Sequence, residues 1–250
     1  MSLLESFTKK KALTTAINDT AKARASESQA ADVLYNAAYH NYAEVLLGDP
    51  LRSETLYNWG FALLHQAKTK TGDEAVKLYQ EAIAKFYFCL LLNPSYLGSA
   101  INVGVAFMDL ARLEGVDCYD ETYSMARNYF DKANAIQANS AAYNIACIHA
   151  LRDEKQACLE ALENAKNSGY LPDAEEIMGD PDLDKAKNQL WFVMFMKTLD
   201  DTSASDEAEN EASSDTAEQA ADADAKPEIE PEIEPETQTD STDEPESPKE

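Results

Sequence analysis

Between residues 73 and 92 the apolar side chains Ala75, Leu78, Tyr79, Ala82, Ile83, Phe86, Cys89 and Leu90 recur at steps of three and four. That spacing places them on one face of a helix. Asp73 precedes the run as the expected N-cap. Asn93-Pro94 closes it, because a residue before proline is biased away from the α region. Residues 53–68 predict a second helix, and Thr69 to Gly72 the turn between the two. The local pattern is therefore an antiparallel helix pair.

The pair repeats. Ala38, Ala82 and Ala126 are 44 residues apart, as are Tyr42, Phe86 and Phe130, then Val45, Cys89 and Ala133. Ala16, Gly60 and Gly104 keep the same step upstream. Pro50 and Pro94 keep it at the unit ends, with Ala138 third. A recurring small-and-aromatic register is the mark of stacked repeats. A shorter fourth unit starts near Asn139, where Tyr143-Asn-Ile-Ala-Cys147 echoes Tyr57-Asn-Trp-Gly-Phe61. Its second helix is predicted over Lys155 to Asn167, stopped by Ser168-Gly169. Asp180-Pro181 supplies a cap and an N1 proline for a last helix carrying Leu183, Leu190, Trp191, Val193, Met194 and Phe195. A stack of repeats needs such a terminal cap. The expected organisation is one helical repeat domain over 1–199, with units about 9–52, 53–96, 97–138 and 139–172 and a capping helix at 181–198.

Composition sharpens this picture. Gly (8) and Pro (9) are scarce, which favours helices over turn-rich β structure. The net charge is -25, but residues 201–250 hold nineteen acidic and two basic side chains. That tail carries -17 and leaves a mildly acidic body of -8. Its run Lys226-Pro-Glu-Ile-Glu-Pro-Glu-Ile-Glu-Pro-Glu236 cannot bury enough apolar surface to offset its ordering entropy, so 200–250 is expected to be disordered. The tail reads either as a solvated tether or as an electrostatic contact with a basic partner. Nucleic acid is disfavoured as a partner, since phosphate neutralisation needs a basic face.

No stretch reaches the roughly 20 apolar residues of a membrane span, so no membrane insertion is expected. The start, Met1-Ser-Leu-Leu-Glu-Ser-Phe-Thr-Lys-Lys-Lys11, lacks the apolar core of an export signal. Cys89, Cys118, Cys147 and Cys158 form no C-x-x-C pair. Together these features predict reduced thiols in a cytoplasmic protein.

A first helix ending Tyr57-Asn-Trp-Gly-Phe-Ala-Leu63, a second with Ala82-x-x-x-Phe86-x-x-Cys89, and the closing Asn93-Pro94 resemble the tetratricopeptide repeat. The resemblance covers about residues 9–196. The first three units exceed the 34-residue family pattern by ten residues, which are expected to lengthen both helices. The segment from Tyr143 through Asp180-Pro-Asp-Leu-Asp184 to Trp191-Phe192 is similar to the end-group that follows such repeats in bacterial proteins. The long-helix units also resemble the plant mitochondrial outer-membrane import receptor. That receptor carries a membrane anchor, which this chain is expected to lack. The resemblance implies an all-α, right-handed superhelical solenoid of antiparallel helix pairs that binds a protein or peptide in a concave groove.

In such a solenoid equivalent positions of each unit's first helix line the groove. Asn58, Asn102 and Asn144 stand there, two residues before the small residue. An asparagine amide has one acceptor and two donors, which suits the backbone of an extended peptide. The resemblance implies this use, because some members of the family hold peptide that way. Tyr57, Phe61, Ile101, Val105, Tyr143 and Cys147 flank them. A clamp for a terminal carboxylate is not expected, since Glu54, Gly98, Ser140 and these flanking positions offer no cation. Lys9, Lys10 and Lys11 are the one basic cluster near the groove.

His40, His65 and His149 fall at different repeat positions, and Cys147 and His149 point to different helix faces. No catalytic residue, metal site or cofactor is expected. The function predicted is an adaptor or scaffold that binds a protein or peptide segment. The alternative is a co-chaperone or import-receptor-like module for amphipathic targeting segments.

Overall fold

A computed structural model describes residues 3–49 and 52–199. Among the described residues every regular element is a helix. They are α1 (Leu3–Arg24), α2 (Ser28–Gly48), α3 (Ser53–Ala67), α4 (Gly72–Leu92), α5 (Leu97–Glu114), α6 (Glu121–Ile136), α7 (Ala142–Leu151), α8 (Lys155–Asn167), α9 (Ala174–Gly179), a 3₁₀ turn (Pro181–Leu183), α10 (Asp184–Lys187) and α11 (residues 190–199). The fold is all-α, with α1–α2, α3–α4, α5–α6 and α7–α8 as successive packed pairs. The disorder expected at 200–250 lies outside the described residues, as does the Pro50 register position.

The 44-residue register has a steric cause inside each pair. Phe86 of α4 faces Gly60 of α3, and Phe130 of α6 faces Gly104 of α5. A Cβ on Gly60 would stand 2.8 Å from the Phe86 ring, and one on Gly104 would meet the Phe130 ring closer still. Both rings are fully buried. Glycine lets the two helices approach, and each ring contributes roughly 2–3 kcal/mol through its burial. In the first pair the register holds Ala16 and Tyr42. The tyrosine is tolerated because its hydroxyl meets Thr20 Oγ1 at 3.1 Å.

Between pairs, first helices touch in series (α1 with α3, α3 with α5), while α2, α4 and α6 lean on the following first helix. Trp59 of α3 stacks against Tyr39 and Tyr42 of α2, with ring centroids 6.3 and 6.2 Å apart. Lys85 Nζ lies 3.8 Å above the indole. Tyr39 donates to Gln66 Oε1, and Gln66 and Lys70 donate to Asp32, so a half-buried polar chain crosses the same boundary. At the next boundary Tyr87, Phe107 and Tyr129 form one aromatic cluster.

The first six helices run 15 to 22 residues, whereas α7 and α8 run 10 and 13. Two local expectations change. Thr71 rather than Asp73 is the N-cap of α4, because Gly72 takes φ +57° and turns the chain into the helix. Asp73 and Glu74 sit in the first turn, where the helix dipole favours acids.

The predicted capping helix is interrupted. A continuous helix from Leu183 would turn Leu190 inward, yet Leu190 is 75% exposed. The chain breaks at Asn188-Gln189, where Gln189 N–H donates to Ala186 O and the Gln189 side chain accepts from Trp191 Nε1. The break shifts the phase so that Phe192 and Phe195 enter the core beside Leu183 and Ala186. An additional helix, α9, precedes it. Asp173 accepts from Glu176 N–H at its start, and Ile177 is buried.

Candidate partner-binding face

Residues four apart share one side of a helix. The stripes Tyr57–Phe61–His65 on α3, Ile101–Val105–Asp109 on α5 and Tyr143–Cys147 on α7 therefore occupy corresponding sides of successive first helices. Tyr57, Phe61, Ile101, Val105 and Tyr143 are all half-buried.

Tyr57 is held by neighbours. Its ring lies 4.9 Å from that of Tyr96 and 6.0 Å from that of Phe86, and it fills the space over Gly98. Phe61 is more open. Its ring lies 4.3 Å from the His65 ring, with the Arg24 guanidinium 5.3 Å from its centroid. Ile101 and Val105 rest on the main core and leave one side outward.

The three asparagines are not equivalent. Asn58 Nδ2 donates to Glu54 O at 2.9 Å, one turn back in its own helix. Asn102 and Asn144 are half-buried, and their amides make no hydrogen bond among the described residues.

Tyr143 and Cys147 are covered by the chain itself. The Tyr143 hydroxyl donates to Asp180 Oδ2 at 2.8 Å, and Cys147 Sγ approaches the same oxygen at 3.5 Å. Asp180 Oδ1 caps the following turn by accepting from Asp182 N–H at 2.9 Å. Asp182 is buried and pairs with Arg112 Nε at 3.2 Å. Burial pushes its carboxyl up to about 6, although Arg112 opposes the shift. Burial likewise raises Asp109, which meets Arg112 at 2.7 Å and Lys68 at 3.7 Å.

Sequence reading by apolar and amide positions misses one row. Arg24, Lys68 and Arg112 are 44 residues apart and end successive first helices. Each reaches across a boundary toward the next unit. Arg24 sits over Phe61, Lys68 pairs with Asp109, and Arg112 pairs with Asp182. The same period that revealed the aromatic register would have revealed this one. It lies at the ends of the first helices, apart from the groove positions read for a carboxylate clamp and from the Lys9, Lys10 and Lys11 cluster.

Cys147, Asp180 and Asp182 bring ligand atoms within 4.8 Å of one another. Their carboxylates already accept from Tyr143 and pair with Arg112, and burial holds the Cys147 thiol protonated, so the cluster is balanced by protein groups. The four cysteines are free thiols. His149 lies between Arg127 and Glu154 in a half-buried polar chain.

The successive helix pairs define the class of the fold, an all-α helical repeat. Residues 32–168, just over half the chain, match the family model of the plant-specific mitochondrial import receptor subunit TOM20. The chain belongs to that family. A curated relative, a chloroplastic protein of Arabidopsis thaliana, is 36% identical over 72 residues, which is 29% of this chain and 21% of the relative. The chain thus spans about a fifth of that protein's length.

The family assignment corrects one expectation. A freely cytoplasmic address was inferred from composition and the lack of an export signal, whereas the matching family is described as a mitochondrial import receptor subunit. The composition of a helical body carries no information about which surface it serves. Among the described residues no helix is long and apolar enough to cross a membrane.

Proposed function

We propose that this protein is an import-receptor-like module that holds an amphipathic segment of a partner protein against the stripes of α3 and α5. This takes precedence over a general adaptor role, which it contains. The observation that carries it is the run Phe61, Ile101 and Val105, half-buried apolar side chains bordered by Asn102, whose amide bonds to nothing among the described residues. Such a face can cover the apolar side of a helix while the amide meets its polar edge. Membership in a family described as an import receptor subunit supports the same reading.

On this account the helix pairs are tetratricopeptide-type units of about 44 residues within a single domain over 1–199. The first helices line the receiving face and the second helices the outer one. Tyr57 and Tyr143 act mainly as walls, one fixed by Tyr96 and the other by Asp180. The role is binding and requires no catalytic group.

The test is site-specific photo-crosslinking to an amphipathic helical peptide with no acidic residues. A photoreactive side chain at position 101 should capture the peptide, and one at position 88 on α4 should not. Capture at 88 with none at 101 would contradict the assignment.

A further inference from the structure

The side of α4 turned away from its core carries a second apolar stripe. Ala84, Phe88, Leu91 and Leu92 stand at positions i, i+4, i+7 and i+8, which share one side of a helix. All four are exposed, Phe88 by 58% and Leu91 by 74%. Leu47 of α2, in the register of Leu91, extends the stripe and is 80% exposed. Single exposed apolar residues are ordinary, whereas a contiguous set marks an interaction surface.

The repeat gives this stripe two charged flanks. Lys85 of α4 covers Trp59, whose ring stacks on Tyr39 and Tyr42 of α2, and Tyr87 stacks on Tyr129 of α6 at 5.3 Å. α4 therefore lies between α2 and α6, and all three, as second helices of successive pairs, run in the same direction. The residues 44 before and 44 after Phe88 are Glu44 on α2 and Lys132 on α6. Neither forms an ion pair among the described residues, and Asp131 beside Lys132 is taken by Arg127 at 3.0 Å. One level of the second-helix face thus reads acid, aromatic, base. A lipid surface favours a basic rim, whereas this rim carries both signs.

We propose that the α4 stripe is a docking surface for a second copy of this chain, paired about a two-fold axis parallel to α4. That rotation lays α4 beside its counterpart in the same direction, so Phe88, Leu91 and Leu92 meet their own equivalents. It also exchanges left for right, which sets Glu44 of each copy opposite Lys132 of the other. An interface between identical copies needs such a self-complementary patch. A two-fold axis across α4 would instead set Glu44 against Glu44 and Lys132 against Lys132, and like charges disfavour it. The receiving face proposed above lies on the first helices α3 and α5, so the pairing leaves it free and stands independently of it.

The test is sedimentation velocity of the full chain at physiological salt, with concentration raised from about 1 to 500 µM. A stripe of this size gives an interface at the small end of the range, so a reversible dimer should form with a dissociation constant of about 10–100 µM. Leu91→Glu changes an exposed position. It should leave circular dichroism unchanged and weaken the dimer about tenfold or more, because charge is unfavourable at the centre of an interface. Glu44→Lys and Lys132→Glu should each weaken it about threefold or more by setting like charges opposite one another. The two changes together should restore it. A chain that is monomeric throughout would overturn the proposal. So would a dimer indifferent to Leu91→Glu, or single charge changes that the double change does not rescue. A monomer that floats with phosphatidylcholine vesicles, and loses this in Leu91→Glu, would overturn it by giving the stripe to a lipid surface. Capture of the crosslinking peptide at position 88 would overturn it in favour of a partner helix.

Discussion

Phe86 on α4 lies so close to Gly60 on α3 that a Cβ at residue 60 would approach its ring to 2.8 Å. The same relationship between Phe130 and Gly104 is tighter. In an exposed helix interior, alanine is favoured over glycine by about 1 kcal/mol. Here sterics reverse the sign. Gly60→Ala should destabilise the chain by about 1–3 kcal/mol, and Gly104→Ala by more, as overpacking does. Urea unfolding would read both. Combining Gly60→Ala with Phe86→Leu should recover part of the loss, whereas a stabilised Gly60→Ala would show that α3 and α4 sit further apart.

Asp182 makes stability depend on pH. Its folded pKa is raised to about 6 from 3.8, chiefly by burial. A carboxyl raised on folding holds its proton more tightly in the folded state. Its contribution is full below the unfolded value and is lost as pH rises through about 6. Asp109 is raised as well and acts in the same sense. Asp32 and Asp120 are lowered, by Lys70 and by the Thr122 N–H respectively, so they weaken the fold only on acidification below their ordinary range. Between pH 4 and 6.5 the unfolding free energy should fall with rising pH by up to roughly 2–3 kcal/mol from Asp182. Asp182→Asn should flatten that slope, and an unchanged slope would contradict the assignment.

The helical repeat was legible because its cause is local and periodic. Ala82, Phe86 and Cys89 mark one helix face, and the 44-residue step carries it from unit to unit. The interruption at Asn188-Gln189 was not legible, since Leu190 fits a continuous apolar face as well as Phe192 does. Only the position of the core behind α11 decides between them. Nor was the covering of Tyr143 legible, because Asp180 is 37 residues away and no spacing rule links the two. Arg24 was missed for a different reason. It stands in the repeat register, but it serves the neighbouring unit, so reading each helix by its own face leaves it out.

Asp180 holds two elements at once, through Tyr143 and through the Asp182 N–H. Asp180→Ala should cost about 1–3 kcal/mol, the sum of a lost cap and a half-buried hydroxyl left without its acceptor. Hydrogen exchange should show faster opening of residues 174–187 while α3 and α4 keep their protection. Uniform loosening of the whole domain would show that the segment is not a separate cap.

The asparagines should contribute unequally to partner affinity. Asn102→Ala removes an amide with no internal partner and should weaken amphipathic-peptide binding by about threefold to tenfold. Asn58→Ala removes a side chain already bonded to Glu54 O and should change affinity less than about twofold. Equal losses at both positions, measured by titration calorimetry, would argue for a uniform amide ladder instead.

The central claim is that the apolar stripes of α3 and α5 receive an amphipathic segment. The most direct measurement is fluorescence anisotropy of a labelled amphipathic helical peptide against a same-composition scramble without an apolar face. Wild-type chain is compared with Ile101→Asp, which puts a charge at a half-buried position of the stripe. The account predicts that the amphipathic peptide binds about tenfold or more tightly than the scramble, and that Ile101→Asp erases the difference while circular dichroism stays unchanged. Equal binding of the two peptides, or full retention of the preference in folded Ile101→Asp, would contradict it.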